Sequence, residues 1–135
     1  SHAVNAATSD PVAVVRDITR GGVETAFEAV GEEKVIAQAF AATRRGGRTV
    51  AIGLTHPDRM LTIPALTITA EERVLMGSYM GSCVPQRDIP RFIAMYRAGL
   101  LPVDLLRSSV IALDEVNAAF DLLDSGEVAR QIIRF

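Results

Sequence analysis

The chain has no tryptophan, one cysteine (Cys83) and two histidines among its 135 residues, and aromatic side chains make up only 5% of it. A lone thiol closes no intramolecular disulfide, and one Cys with two His falls short of the four Cys and His ligands of a structural zinc site. No apolar run approaches the roughly 20 residues of a membrane helix, and no charged-then-apolar leader opens the chain. Long blocks of like charge are missing too: 14 Lys plus Arg stand against 16 Asp plus Glu, a formal net charge of -2. Neither a nucleic acid nor an anionic membrane surface is therefore suggested as a partner. The expectation is a soluble cytoplasmic protein. The start at Ser1-His2, without an initiator Met, is expected to be tag residue or a beginning inside a longer protein.

What the sequence does contain is apolar: 49% of residues are hydrophobic, 22% are charged, and ten Gly and six Pro punctuate the chain. That composition suits a globular domain with a real core and excludes disorder, collagen and low complexity. Apolar runs of strand length alternate with stretches of helical period, which predicts an α/β fold with a mostly parallel sheet. Val4-Asn5-Ala6 reads as the end of a short strand. Asp10 caps a helix that starts at Pro11 and stops at Gly21-Gly22. Val23 to Val30 reads as a strand, and Glu32 and Glu33 open a helix that Arg44, Arg45 and Gly46-Gly47 close. Thr49 to Leu54 is a strand covered on both faces, Leu61-Thr62-Ile63 an edge segment, and Thr69 to Glu72 a helical turn. Arg73 to Tyr79 is a further strand. Asp88 and Asp114 are read as helix caps, with strands at Ser108 to Leu113 and Ala129 to Phe135.

Reactive side chains are sparse. His56, beside Pro57 and Asp58, reads as a loop histidine, and Cys83, between Ser82 and Val84, as a small loop residue without a basic partner. Glu24 and Glu28 are four apart on a strand and share a face, which makes an acid–base pair conceivable but weakly supported. Strand ends carry more information, because ligands of open parallel sheets settle outside the carboxyl ends of the strands. Three strands finish at glycine, in Ala29-Val30-Gly31, Ile52-Gly53-Leu54 and Tyr79-Met80-Gly81, where backbone can approach a flat ligand closely. The Gly-x-Gly-x-x-Gly phosphate loop does not occur in the chain.

Three stretches in order, Gly21-Gly22-Val23-Glu24-Thr25-Ala26-Phe27-Glu28-Ala29-Val30-Gly31, Arg45-Gly46-Gly47-Arg48-Thr49-Val50-Ala51-Ile52-Gly53-Leu54 and Ser125-Gly126-Glu127-Val128-Ala129-Arg130 with a terminal Phe135, resemble the zinc-dependent medium-chain alcohol dehydrogenases. The resemblance covers the C-terminal portion of such a protein. It implies a partial Rossmann-type parallel sheet flanked by helices, lacking the first strands and the glycine-rich turn. Residues 1–80 then correspond to the C-terminal part of the nicotinamide dinucleotide-binding domain, and residues 81–135 to a C-terminal helix-strand segment packing on it.

The same resemblance implies a parent enzyme that uses NAD or NADP and a zinc ion to transfer hydride between an alcohol and an aldehyde. Ala29, Val30 and Gly31 would pass near the ribose and nicotinamide, Ile52, Gly53 and Leu54 beside the carboxamide, and Ser78, Tyr79 and Met80 would offer main-chain hydrogen bonds to that amide. Arg130 would meet the pyrophosphate through its guanidinium fork. No catalytic or metal-ligating residue is implied within these 135 residues, and no tightly bound cofactor is expected on the chain alone. Strands missing between Val4 and Val23 would leave a gap in the sheet, and a homodimer is expected through Arg73 to Tyr79 and the segment near Leu61. The alternatives are a non-catalytic dimerising nucleotide-binding module, or a fragment of a zinc-free quinone or enoyl reductase of the same superfamily.

Overall fold

Asp10 starts the first helix. Its Oδ1 accepts the N–H groups of Val12 and Ala13 at 2.9 and 3.3 Å, and Pro11 takes the first helical position of α1 (Pro11–Thr19), where its missing N–H costs nothing. Arg20 then turns left-handed (φ 56°, ψ 46°) and ends the helix, with the Gly21 N–H donating to the Arg16 carbonyl at 2.8 Å. Replacing Asp10 by Ala should lower stability by about 1 kcal/mol, read as a lower denaturant midpoint at unchanged slope.

The computed structural model describes residues 1–135, which form two units, Ser1–Cys83 and Val84–Phe135. In the first unit α1 leads into β1 (Val23–Glu28), α2 (Glu33–Ala42), β2 (Thr43–Ala51), α3 (Ala65–Ala70) and β3 (Val74–Gly77). The three strands lie side by side in chain order. All are parallel, with Phe27 level with Val50 and Val50 with Met76. The α/β expectation holds, and parallel strands joined by helices follow from the alternating pattern. The core of this unit is small: Ile36, Phe40 and Ala42 of α2 bury against Val50 of β2. Beneath it Arg73 donates to the Phe40 carbonyl at 2.8 Å, lies 5.5 Å from the centre of the Phe40 ring and pairs with Glu71 at 2.5 Å.

Several local expectations are corrected. Helix α2 is not closed by Arg44, Arg45 and Gly46-Gly47: it stops at Ala42, and these residues already belong to β2. The Thr43 hydroxyl donates to the Phe40 carbonyl at 2.7 Å and satisfies the helix end without a glycine. Thr43 to Gly47 then bulge, as the pairing jumps from Val23 with Thr43 to Thr25 with Arg48. Val4-Asn5-Ala6 is not a strand. Asn5 gathers a turn instead, its Oδ1 accepting from Ala7 at 2.9 Å and its carbonyl from the Thr8 and Ser9 N–H groups, both at 3.2 Å. Leu61-Thr62-Ile63 is also no strand, because no neighbouring strand offers it a ladder, and the helical segment after it begins at Ala65, earlier than Thr69.

The second unit holds α4 (Pro85–Arg97), β4 (Arg107–Ile111), α5 (Val116–Asp124) and β5 (Arg130–Ile133). β4 and β5 pair in parallel, with Val110 level with Ile132. Ala119 of α5 is its buried apolar residue, and the Gln131 amide donates to the Ala119 carbonyl at 2.6 Å, fastening helix to strand. Asp114 does not cap α5 directly: it sits in a 3-10 turn, Leu113–Glu115, where Glu115 accepts the Ala112 N–H at 2.7 Å.

Asp88 is not the residue at which α4 starts either, since the helix begins a turn earlier at Pro85. Its carboxylate reaches back to accept the Val84 N–H at 2.8 Å and is gripped by the Arg87 guanidinium at 2.7 and 2.8 Å. The hydrogen bond from Arg87, then the one from Val84, hold this carboxyl well below the usual carboxylate range. A group depressed in the folded state contributes stability above its unfolded value and loses it as the pH falls through the folded one. Asp88→Asn should therefore lower stability at pH 7. Titrated from about pH 4 downwards, the variant should lose less further stability than the wild type, as followed by circular dichroism.

Candidate functional site

The carboxyl ends of β1, β2 and β3 lie next to one another, since adjacent parallel strands point the same way. Each strand stops one residue before its glycine-containing or polar turn, and the turn backbones are tied to the neighbouring strand. Ile52 and Gly53 donate to the Glu28 carbonyl at 2.8 and 3.3 Å, and Ser78 donates to the Ala51 carbonyl at 2.8 Å. The two turns after β1 and β2 cross at their glycines. A Cβ on Gly31 would lie 2.5 Å from the Leu54 carbonyl oxygen, and a Cβ on Gly53 would lie 2.6 Å from the Gly31 Cα and closer still to the Gly31 nitrogen. Gly31 also holds φ at 91°, a conformation that an L side chain resists. Both positions are thus committed to glycine by a backbone-to-backbone contact.

Nine of the ten residues expected to face a cofactor come together on this rim. Ala29 and Val30 are exposed, and Gly31 is buried under the crossing. Val30, Leu54 and Tyr79 present apolar or aromatic surface at 70%, 75% and 69% exposure, while Ile52 and Gly53 are half-buried. Beyond Ser78 the chain coils into a short 3-10 turn, Tyr79–Ser82, in which Met80 and Ser82 adopt positive φ and the Ser78 and Ser82 hydroxyls meet at 2.9 Å. The rim thus offers exposed apolar side chains beside turning main chain. The tenth residue, Arg130, opens β5 in the second unit. Its guanidinium is exposed and donates to the Ala129 carbonyl at 2.8 Å, and its N–H faces the Ser108 hydroxyl at 3.4 Å.

Next to the rim, Gly31, Glu32, His56, Asp58 and Arg59 line an open cavity of about 400 Å³. His56 and Asp58 are solvent-facing and 3.6 Å apart, which agrees with a loop histidine. Arg59 reaches Glu33 at 3.7 Å. Glu24 and Glu28 do not form a carboxylate pair: Glu24 lies on the surface near Arg44 at 3.5 Å, whereas Glu28 is 1% exposed. The buried Glu28 is the site residue that pattern reading undervalued. Its signal is a charged residue inside Ala26-Phe27-Glu28-Ala29-Val30, directly before the turn. No group of three or more His, Cys, Asp or Glu side chains is arranged to hold a metal ion, so the residues present do not fit a zinc centre.

Comparison with known proteins gives a consistent picture. Residues 1–98 match the family model described as zinc-binding dehydrogenase. Alcohol dehydrogenase 1 of Hordeum vulgare is 34% identical over 122 residues, which is 90% of this chain and 32% of that protein. Alcohol dehydrogenase class-3 of Cereibacter sphaeroides is 32% identical over 117 residues, 85% of this chain and 31% of its own length. Among solved structures, benzyl alcohol dehydrogenase from Acinetobacter calcoaceticus superposes with a TM-score of 0.89 at 28% identity, covering 100% of this chain and 37% of that one. The chain thus spans about a third of the length of the relatives it matches. No helix is long and apolar enough to cross a membrane.

Proposed function

The chain belongs to the zinc-binding dehydrogenase family, and from that membership we propose that it is the C-terminal portion of an alcohol dehydrogenase, forming one wall of the nicotinamide cofactor site. The parent enzyme, on this reading, transfers hydride between a small alcohol or aldehyde and NAD or NADP. The supporting observation is the single rim built by three adjacent strand ends, with the turns after β1 and β2 in direct backbone contact at Gly31 and Gly53. Residues 1–80 act as part of the cofactor domain and residues 81–135 as its terminal segment.

Zinc, when bound in the parent, supplies polarisation of the alcohol oxygen; its ligands belong to other parts of that protein. What this chain supplies is placement. Val30 and Leu54 offer apolar contact to the ring, the Ile52 to Leu54 and Ser78 to Met80 backbones offer hydrogen bonds to its amide, and Arg130 offers a guanidinium fork to the pyrophosphate. Holding the ring at a fixed distance from the alcohol carbon lowers the barrier through orientation.

Support for incorporation into a larger sheet comes from β1, which has a strand neighbour on one side only. Beside it an apolar groove runs between Val12 and Val15 of α1, Phe27 of β1 and Val35 and Ala39 of α2, with Phe27 68% exposed. An open parallel edge with apolar flanks calls for cover, and further strands and helices of the parent provide it. The opposite edge, β3, is proposed as the dimer contact in a cytoplasmic homodimer.

The test is an assay of the full-length protein that carries this chain. Alcohol-dependent reduction of NAD or NADP that is lost on zinc removal supports the reading, and cofactor reduction by no alcohol in the zinc-loaded protein defeats it. Within that enzyme, Arg130→Ala should raise the cofactor KM about ten- to a hundredfold, equivalent to about 1.5–3 kcal/mol for a charge-assisted contact, with zinc content unchanged. An unaltered cofactor KM removes Arg130 from the site.

A further inference from the structure

Glu28 is the most buried carboxylate in the chain, and none of the roles above uses its side chain. Its Oε1 accepts two backbone N–H groups at once, from Val30 at 2.6 Å and from Gly31 at 2.7 Å. Its main-chain carbonyl accepts two more, from Ile52 and Gly53. One residue therefore holds the turn after β1 through its side chain and the turn after β2 through its backbone, at the point where Gly31 and Gly53 cross. The remaining oxygen, Oε2, is buried and has no hydrogen-bond partner.

A buried carboxylate with one unsatisfied oxygen is costly, and a core without it is easily built from apolar residues of the same size. Stability alone does not account for its presence. The two short bonds to Oε1 do account for it, because they bend the backbone out of the strand at Ala29 and turn the Val30 and Gly31 N–H groups inward. This leaves the Val30 side chain on the rim. Two short bonds converging on one buried oxygen fix the geometry of the turn more tightly than either would alone.

We propose that Glu28 is a positioning residue for the cofactor: its carboxylate locks the Ala29-Val30-Gly31 turn in the shape that receives the nicotinamide end of the dinucleotide. The inference rests on the proposed function and deepens it. Glu28 does not touch the cofactor; it acts through Val30 and Gly31.

The experiment compares Glu28→Met, of similar length but unable to accept the two bonds, with Glu28→Gln, which keeps an acceptor oxygen, in the full-length protein. NADH and NADPH binding is measured by fluorescence, steady-state kinetics separate cofactor KM from kcat, and amide exchange is followed at Val30 and Gly31. The expected result is a ten- to fiftyfold weaker cofactor affinity in Glu28→Met, with kcat falling less than threefold, faster exchange at both amides and a folded protein by circular dichroism. Glu28→Gln should recover most of the affinity and the protection. A Glu28→Met protein that binds cofactor as tightly as the wild type, or whose only change is a lower melting temperature, overturns the proposal. Should Glu28→Met fail to fold, Glu28→Gln decides: more than tenfold weaker binding despite protected Val30 and Gly31 amides overturns it, and affinity within threefold of wild type supports it. A wild-type protein that binds neither NADH nor NADPH defeats the cofactor reading itself, and the proposal with it.

Discussion

Gly53→Ala should destabilise the first unit by about 3 kcal/mol or more, the upper part of the range for forcing extra atoms into a packed interior. The added methyl would run into the Gly31 nitrogen and lie 2.6 Å from its Cα. The obstructing atoms are backbone, held by the Glu28 carboxylate and by the start of α2, so no side chain can swing aside to relieve the contact. Gly77→Ala is the matched control. Gly77 ends β3 with nothing within 4 Å of the place an added methyl would take, and its φ is not positive. It should change stability by less than about 0.5 kcal/mol, as surface substitutions commonly do. Chemical denaturation of both variants gives the comparison, and equal stabilities would show that the Gly31–Gly53 crossing is not a tight contact.

The second large effect concerns the chain on its own. The 135-residue polypeptide should show no alcohol-dependent reduction of NAD or NADP, even with zinc added, while the full-length protein turns over. The reason lies in the donor set. His56 is an exposed loop residue beside Asp58, Cys83 is a single thiol, and no three potential ligands converge. Without a polarised oxygen, an alcohol gives up hydride too reluctantly for positioning alone to compensate. Zinc-dependent turnover by the short chain would place the chemistry inside it and refute the proposed division of labour.

Much of the arrangement was legible in the residues. Asp10-Pro11 marks a helix start whose capping bonds the structure shows, and the stripe Val35, Ile36, Ala39 and Phe40 puts α2 against β2, where Ile36 and Phe40 are buried. The glycines that follow β1 and β2 and the turn after β3 were legible too, because glycine marks where a chain turns, and at Gly31 the φ of 91° is itself a local demand. The crossing of Gly31 over Gly53 was not, since it depends on which strands are neighbours, and no local pattern carries that.

Errors of pattern reading share one cause. Thr43 to Gly47 looks like a helix terminus because basic residues precede two glycines, yet Thr43 closes the helix through its own hydroxyl and frees those residues to pair. Val4 and Leu61 to Ile63 look like strands because they are short and apolar or β-branched. A strand, however, exists only where a partner completes its ladder, and neither segment has one. Glu28 was misjudged by the same route. Spacing places it on one face with Glu24, but burial, a tertiary property, makes one of them a surface ion-pair partner and the other an internal anchor.

The most direct measurement is a crystal structure of the full-length protein grown with NADH. The account predicts the nicotinamide ring against Val30 and the Gly53 main chain, its amide bonded to backbone among residues 52–54 and 78–80. A dinucleotide seated elsewhere, with these three strand ends bare, would contradict it.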